Sequence, residues 1–155
     1  MDKMKKLLMA ASSGGHLEEV LALRALGARY ETVLITEKTD YEVRCWQDRV
    51  YYVPQVNRRE LKSLIRYVGV FFTTFSILRR ERPDAVLSTG AMAAFPALLL
   101  GKLMGMKIIF IEGMFNVDAA SLTGRLTSRF ADLFIVQWEE MLKVYPNAVY
   151  GGRVF

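Results

Sequence analysis

Apolar residues fall into short runs rich in Val, Ile and Leu, separated by segments in which they recur every three or four positions. Runs at 6–11, 32–36, 50–53, 84–88, 107–111 and 133–137 have the length and composition of buried strands. Between the first two, Leu17, Val20, Leu21, Leu23 and Leu26 recur at helical spacing and stop near Gly27. Longer helical patterns cover 61–80, 91–104 and 121–131. Strands alternating with helices predict βαβ units, hence an α/β fold with a doubly wound, mostly parallel, Rossmann-like sheet covered on both faces. With 155 residues and no internal repeat, the whole chain, 1–155, is expected to form one domain.

The segment 61–80 is the longest helical pattern. Leu61, Leu64, Ile65, Val68, Phe71, Phe72, Phe75 and Leu78 form a stripe that predicts its sheet-covering face, and Tyr67, Val70 and Ile77 widen that stripe. Charge changes the picture. The chain carries 21 Lys and Arg against 16 Asp and Glu, a formal net charge of +5. The stretch 58–82 holds Arg58, Arg59, Lys62, Arg66, Arg79, Arg80 and Arg82 against Glu60 and Glu81, so 7 − 2 accounts for the whole excess. One local anionic partner fits this concentration better than the spread footprint of a nucleic-acid binder. A basic, aromatic-rich helix suits an anionic lipid headgroup layer, and an ordinary core helix with charged ends explains the same pattern; both readings stand at this level.

Other classes are excluded by composition. A single cysteine, Cys45, allows no internal disulfide and suits a reducing compartment, and one histidine with one cysteine makes a zinc site or other metal centre implausible. The apolar stretch at 7–11 is too short for a signal peptide. The longest charge-free run, 85–101, is interrupted by Ser88-Thr89-Gly90 and Pro96, whereas a spanning helix needs about 20 apolar residues. No membrane crossing is expected, which leaves peripheral contact open.

Candidate chemistry lies where strands give way to helices. Ser12-Ser13-Gly14-Gly15-His16 follows the first strand and opens the first helix; its glycines permit close backbone approach, and a helix start favours an anion such as a phosphate. The dinucleotide fingerprint G-x-G-x-x-G is absent, and no cofactor is implied. Ser88-Thr89-Gly90 has the same character after the fourth strand. In an open doubly wound sheet, strands one and four flank the reversal of strand order, which predicts that Gly14, Gly15, Thr89 and Gly90 face one cleft. Glu112, Gly113, Met114, Phe115 and Asn116 leave the fifth strand on the same rim. His16, the lone imidazole, can take a proton from a hydroxyl or cap its own loop; Glu112 can act as a base or brace a neighbouring loop. The terminal residues Gly151, Gly152, Arg153, Val154 and Phe155 follow the last strand, where a second domain would continue, so the chain reads as half of a two-part enzyme with this tail as a partner contact.

Six ordered motifs carry a resemblance: residues 13–16 (Ser-Gly-Gly-His), 88–90 (Ser-Thr-Gly), 110–112 (Phe-Ile-Glu), 121–126, 131–139 and the Tyr-Pro…Tyr-Gly-Gly of 145–152. Together they resemble the acceptor-side subunits of split GT-B glycosyltransferases. This is the family of the membrane-recruiting subunit of the eukaryotic UDP-GlcNAc transferase that extends dolichol-diphosphate-GlcNAc, with bacterial members in capsular and exopolysaccharide synthesis. The resemblance implies an amino-terminal GT-B half-domain, a separate partner subunit that binds the UDP-sugar, a lipid-diphosphate-linked sugar as acceptor, and a cytoplasmic position at the inner face of the membrane. It implies that the loop 13–16 lies near the acceptor diphosphate, with His16 as base or orienter; taken with the cleft, Ser13, Gly14, Gly15, Thr89, Gly90 and Asn116 are the expected acceptor or phosphate contacts, and His16 or Glu112 the expected base. Two departures stand out. Gly113 replaces the serine usual after Phe-Ile-Glu, and the amino-terminal anchor of eukaryotic members is missing, which assigns attachment to surface residues of the 58–82 segment. Two rivals remain: a self-contained Rossmann-type nucleotide-binding enzyme, and a membrane adaptor that contributes no active-site group.

Overall fold

A computed structural model of the chain describes residues 4–40, 43, 49–55 and 62–154. Seven parallel strands form one sheet: β1 (Lys6–Ala10), β2 (Glu31–Glu37), β3 (Arg49–Val53), β4 (Ala85–Ser88), β5 (Lys107–Ile111), β6 (Leu133–Val136) and β7 (Val149–Tyr150), in the order β3-β2-β1-β4-β5-β6-β7. The reversal of strand order lies between β1 and β4, as the sequence predicts. Alternation along β1 shows the two-faced core. Leu8 and Ala10 pack with Val33, Val86, Ile108 and Phe110 on one face, while Leu7, Met9 and Ala11 pack with Val20, Leu34 and Leu87 on the other.

Helix α1 (Gly15–Ala22) continues into a 3-10 turn, Leu23–Ala28, and covers the second face through Leu17, Val20, Leu21, Leu23 and Leu26. Helices α2 (Lys62–Glu81), α3 (Phe95–Leu103) and α4 (Leu122–Thr127) follow. The expected helix at 91–104 begins only at Phe95, because positive φ at Gly90 (127°) and Ala91 (68°) turns the chain first and Pro96 favours a helix start. The expected helix at 121–131 is a capped two-turn element, with the Ser121 hydroxyl accepting from the Gly124 N–H at 2.9 Å. Strand β7 has no sequence signal, since two residues cannot display an alternation.

The rotation of α2 corrects the sequence reading. Among the described side chains, Val70, Thr74, Ile77, Leu78 and Glu81 are its buried residues, whereas Ile65 (77% exposed), Val68 (51%), Phe72 (71%) and Phe75 (40%) point outward. Of the six stripe residues whose side chains are described, four therefore face away from the sheet, while Leu78 packs on it and Phe71 is half-buried; the side chains of Leu61 and Leu64 lie outside the described residues. The physical reason lies at the last turn, where Glu81 is 3% exposed. Its carboxylate accepts from Lys6 Nζ at 3.0 Å, Arg49 Nη1 at 2.9 Å and the Tyr51 hydroxyl at 2.5 Å, tying α2 to β1 and β3. A buried carboxylate without these partners would be several kcal/mol less stable, so the helix is held with Glu81 inward whatever its apolar residues do. Tyr67 adds a second tether by donating to the Met92 carbonyl at 2.8 Å.

Burial alone would raise the pKa of Glu81, but hydrogen bonds from Tyr51 and Lys6 and the charges of Lys6 and Arg49 outweigh it and hold the carboxyl below the usual carboxylate range. A group depressed in this way stabilises the fold above its unfolded value and loses that contribution as pH falls through the folded one. Thermal melts are accordingly expected to fall as pH is lowered past the ordinary glutamate range, and Glu81→Gln to flatten that dependence. At pH 7 the variant should be less stable by roughly 1.5–3 kcal/mol, the contribution of hydrogen bonds to a charged group. An unchanged melting profile would reject this role for Glu81.

Candidate functional site

The ends of β1, β4 and β5 leave three loops around one cleft at the strand-order reversal. Gly14, with φ 89°, turns the chain from β1 into α1, and its carbonyl accepts from the N–H groups of Leu17 (2.9 Å) and Glu18 (3.1 Å). The N–H groups of Gly15 and His16, in the first turn, have no intrahelical acceptor and no hydrogen-bond partner among the described residues. Behind this turn, Ser13 donates its N–H (3.2 Å) and hydroxyl (3.1 Å) to Glu37 at the end of β2, so its side chain anchors the loop.

His16 lies between the other two loops. A Cβ added to Gly90 or to Gly113 would come within 2.9 Å of His16 Cε1, so both glycines are seats for the imidazole. Thr89, fully buried, donates its hydroxyl to the His16 carbonyl at 2.8 Å and clamps the helix start to β4. The Phe115 ring covers Gly15, whose added Cβ would meet Phe115 Cε2 at 2.7 Å, yet the side chain is 70% exposed on the rim. The structure thus brings Gly14, Gly15, His16, Thr89 and Gly90 together, with Thr89 and Ser13 as supports.

Glu112 is placed differently. It is 2% exposed, and its two carboxylate oxygens accept from Asn116 Nδ2 at 2.9 Å and the Tyr145 hydroxyl at 2.7 Å. Burial pushes the Tyr145 hydroxyl well above the usual phenol range, and Glu112 adds to the shift, so Tyr145 stays a donor. Gly124 makes room for the pair: a Cβ there would lie 2.0 Å from Glu112 Oε2. Of the two roles open to Glu112 in the sequence, loop bracing is the one its contacts serve; Asn116 is likewise spent on that brace.

Two residues at this cleft went unmarked in the sequence. Glu19 is fully buried below His16, with Oε2 3.4 Å from His16 Nδ1, and its Oε1 accepts from the Met114 N–H (2.7 Å) and Gln137 Nε2 (2.8 Å). Gln137, 1% exposed, also donates to the Glu112 carbonyl at 3.1 Å and accepts from the Val154 N–H at 2.9 Å. The available signal for Glu19 was its i,i+3 spacing from the lone histidine.

The remaining expected contacts are spread elsewhere. Arg66, Arg79, Arg80 and Arg82 are exposed on α2 or just after it, whereas Arg58, Arg59 and the side chain of Lys62 lie outside the described residues. Gly151 hydrogen-bonds to the Val136 carbonyl at 3.0 Å, Gly152 turns with φ 72°, Arg153 sits 5.2 Å over the Trp138 ring, and Val154 reaches Gln137; Phe155 lies outside the described residues. Among the described residues, no group of three or more His, Cys, Asp and Glu is placed to hold a metal ion.

The two glycine seats make a graded prediction. Gly113→Ala should fold with a cooperative melt but displace the imidazole, visible as a shifted Cε1–H proton resonance. Gly90→Ala should show the same shift and a larger loss of stability, because alanine at φ 127° is strained in addition. A resonance unmoved in both variants would contradict the described packing.

The chain and its fold have counterparts. A family model described as "Oligosaccharide biosynthesis protein Alg14 like" matches residues 35–154. The UDP-N-acetylglucosamine transferase subunit ALG14 of Homo sapiens is 31% identical, over 96% of this chain and 82% of that protein. A Prochlorococcus marinus UDP-N-acetylglucosamine–N-acetylmuramyl-(pentapeptide) pyrophosphoryl-undecaprenol N-acetylglucosamine transferase is also 31% identical, over 93% of this chain but 42% of its own length. Among solved structures, Acinetobacter baumannii MurG superposes with a TM-score of 0.70 at 21% identity, over 86% of this chain and 41% of that one. The UDP complex of Staphylococcus aureus MnaA gives 0.71 at 16% identity, over 96% and 42%. These two likenesses bear on the fold alone, a Rossmann-like unit within longer chains. On the family match and the identity to the human protein, the chain belongs to the Alg14-like family of oligosaccharide biosynthesis proteins.

Proposed function

We propose that this chain is the acceptor-binding and membrane-recruiting subunit of a two-chain UDP-sugar glycosyltransferase acting on a lipid-diphosphate-linked sugar. The observation that carries the reading is the partly open imidazole of His16, seated between Gly90 and Gly113 at the strand-order reversal of an Alg14-like chain. The relatives named as transferase subunits support a division of labour in which a separate chain holds the UDP-sugar.

The chemistry is direct displacement at the anomeric carbon. An acceptor hydroxyl oxygen bonds to that carbon as its bond to the UDP oxygen breaks, and the hydroxyl proton passes to His16. The free N–H groups of Gly15 and His16 lie where the acceptor diphosphate would gain from a helix start. Glu112, braced by Asn116 and Tyr145, holds the third loop and exchanges no proton in this scheme. The tail at 151–155 would meet the partner beside the cleft.

The membrane half of the proposal rests on α2. Ile65, Val68, Phe72 and Phe75 form an exposed apolar face beside the exposed Arg66, Arg79 and Arg80. Among the described residues no helix is long and apolar enough to cross a bilayer. An interfacial face of this kind would dock the chain at the cytoplasmic surface, each cation adding about 1 kcal/mol near anionic lipid.

Two measurements test the two halves. With the UDP-sugar-binding chain supplied, transfer to a lipid-diphosphate acceptor should appear, absent from either chain alone, and His16→Ala should lower kcat by about 10²–10⁴-fold. Robust transfer by this chain alone would reject the split-enzyme reading; unchanged turnover in His16→Ala would favour a pure adaptor. Sedimentation with phosphatidylserine-containing vesicles should be strong at low salt. It should be lost on combined Arg66→Glu, Arg79→Glu and Arg80→Glu, and weakened by Phe72→Ser at unchanged melting temperature; unaltered sedimentation would remove the membrane role.

A further inference from the structure

From the geometry beneath His16 we propose that Glu19 is the positioning residue of the proton-transfer step, fixing the tautomer and orientation of the imidazole; this rests on the reading of His16 as base. Glu19 Oε2 and His16 Nδ1 are both buried, lie 3.4 Å apart, and neither has a hydrogen-bond partner among the described residues. Two orphaned polar atoms facing one another at that separation satisfy each other only as a donor and an acceptor. A carboxylate can only accept, so the proton belongs on Nδ1 and the lone pair on Nε2. The His16 side chain is 27% exposed and Nδ1 is its buried nitrogen, so Nε2 is the one available to an acceptor hydroxyl.

Glu19 is itself held. The Met114 N–H and Gln137 Nε2 both reach Oε1, from the loop after β5 and the end of β6, which leaves Oε2 alone for the imidazole. A carboxylate clamped on one oxygen by two other elements cannot follow the ring, so the ring is oriented by the carboxylate. The surroundings of the imidazole are otherwise uncharged on two sides, where Gly90 and Gly113 abut Cε1. Glu112, next to Gly113, has its two oxygens taken by Asn116 and Tyr145, and Glu18 is exposed on α1. When the hydroxyl proton arrives at Nε2, the resulting imidazolium has its positive charge opposite Oε2, and the 3.4 Å separation can shorten into a charge-assisted bond. Glu19 gains and loses no proton in this step.

The chain contains one histidine, so nitrogen-15 spectra of the imidazole report on His16 alone. The neutral wild-type ring is expected as the Nδ1–H tautomer. In Glu19→Gln the amide NH₂ turned toward Nδ1 should convert it to Nε2–H, with the lone pair buried. With the partner chain present, Glu19→Gln should lower kcat by about 10²–10⁴-fold with KM changed little, and the histidine limb should vanish from the pH–rate profile. An Nε2–H tautomer in the wild type overturns the proposal even if the variant fails to fold. So does Glu19→Gln turnover within about threefold of wild type, or a slower enzyme with its histidine limb intact. If His16→Ala is itself fully active, the reading of His16 as base fails first; if His16→Ala is inactive and Glu19→Gln is not, Glu19 alone is wrongly assigned.

Discussion

The carboxylate of Glu19 is fully buried, and the loops at the carboxy-terminal ends of the central strands are arranged around it. A buried charge is tolerated only with well-placed partners, and here they come from three places: the Met114 N–H, the Gln137 amide and the facing His16 ring. Gln137 extends the constraint, because its remaining bonds reach the Glu112 carbonyl and the Val154 N–H. Glu112 extends it again to Asn116 and Tyr145. One acidic side chain therefore links the first helix, the loop after β5, the end of β6 and the tail. The cleft is shaped by the need to satisfy polar groups away from water, and its exposed imidazole is the outermost member of that network.

A similar logic operates at the last turn of α2. Glu81 needs Lys6, Arg49 and Tyr51, and that need decides which side of the helix meets the sheet. Each buried carboxylate fixes something that hydrophobic packing alone leaves free: Glu19 the position of a loop, Glu81 the rotation of a helix. Hydrophobic burial is non-directional, so a helix with apolar residues on two sides has two acceptable rotations until a directional contact selects one.

The fold was legible because buried parallel strands read as short apolar runs, most of them rich in Val, Ile and Leu, and β1 to β6 all carry an apolar run. The glycine loops and His16 were legible from their place after a strand and before a helix. Three things were not. The outward part of the α2 stripe could not be told from its core part, because Ile65, Val68, Phe72 and Phe75 have the spacing of a core face, and nothing local marks Glu81 as buried. Glu19, next to Glu18 in the first turn, looks like an ordinary acid near a helix start, where the helix dipole favours one whether or not it is covered. Glu112 could be placed on the rim but not turned inward, since its partner Tyr145 is 33 residues away. In each case the missing information is long-range: which distant donor meets a carboxylate.

The anchored rotation of α2 also governs how copies of the protein treat one another in water. Phe72 and Phe75 cannot be turned inward, because rolling the helix would leave Glu81 buried without donors or expose the core face of Val70 and Ile77. The same surface carries Arg66, Arg79 and Arg80, whose like charges keep neighbouring molecules apart. Salt screens that repulsion and leaves the attraction between phenyl rings intact. Added electrolyte is therefore expected to bring the molecules together, and a dilute, low-salt solution to hold them as separate particles.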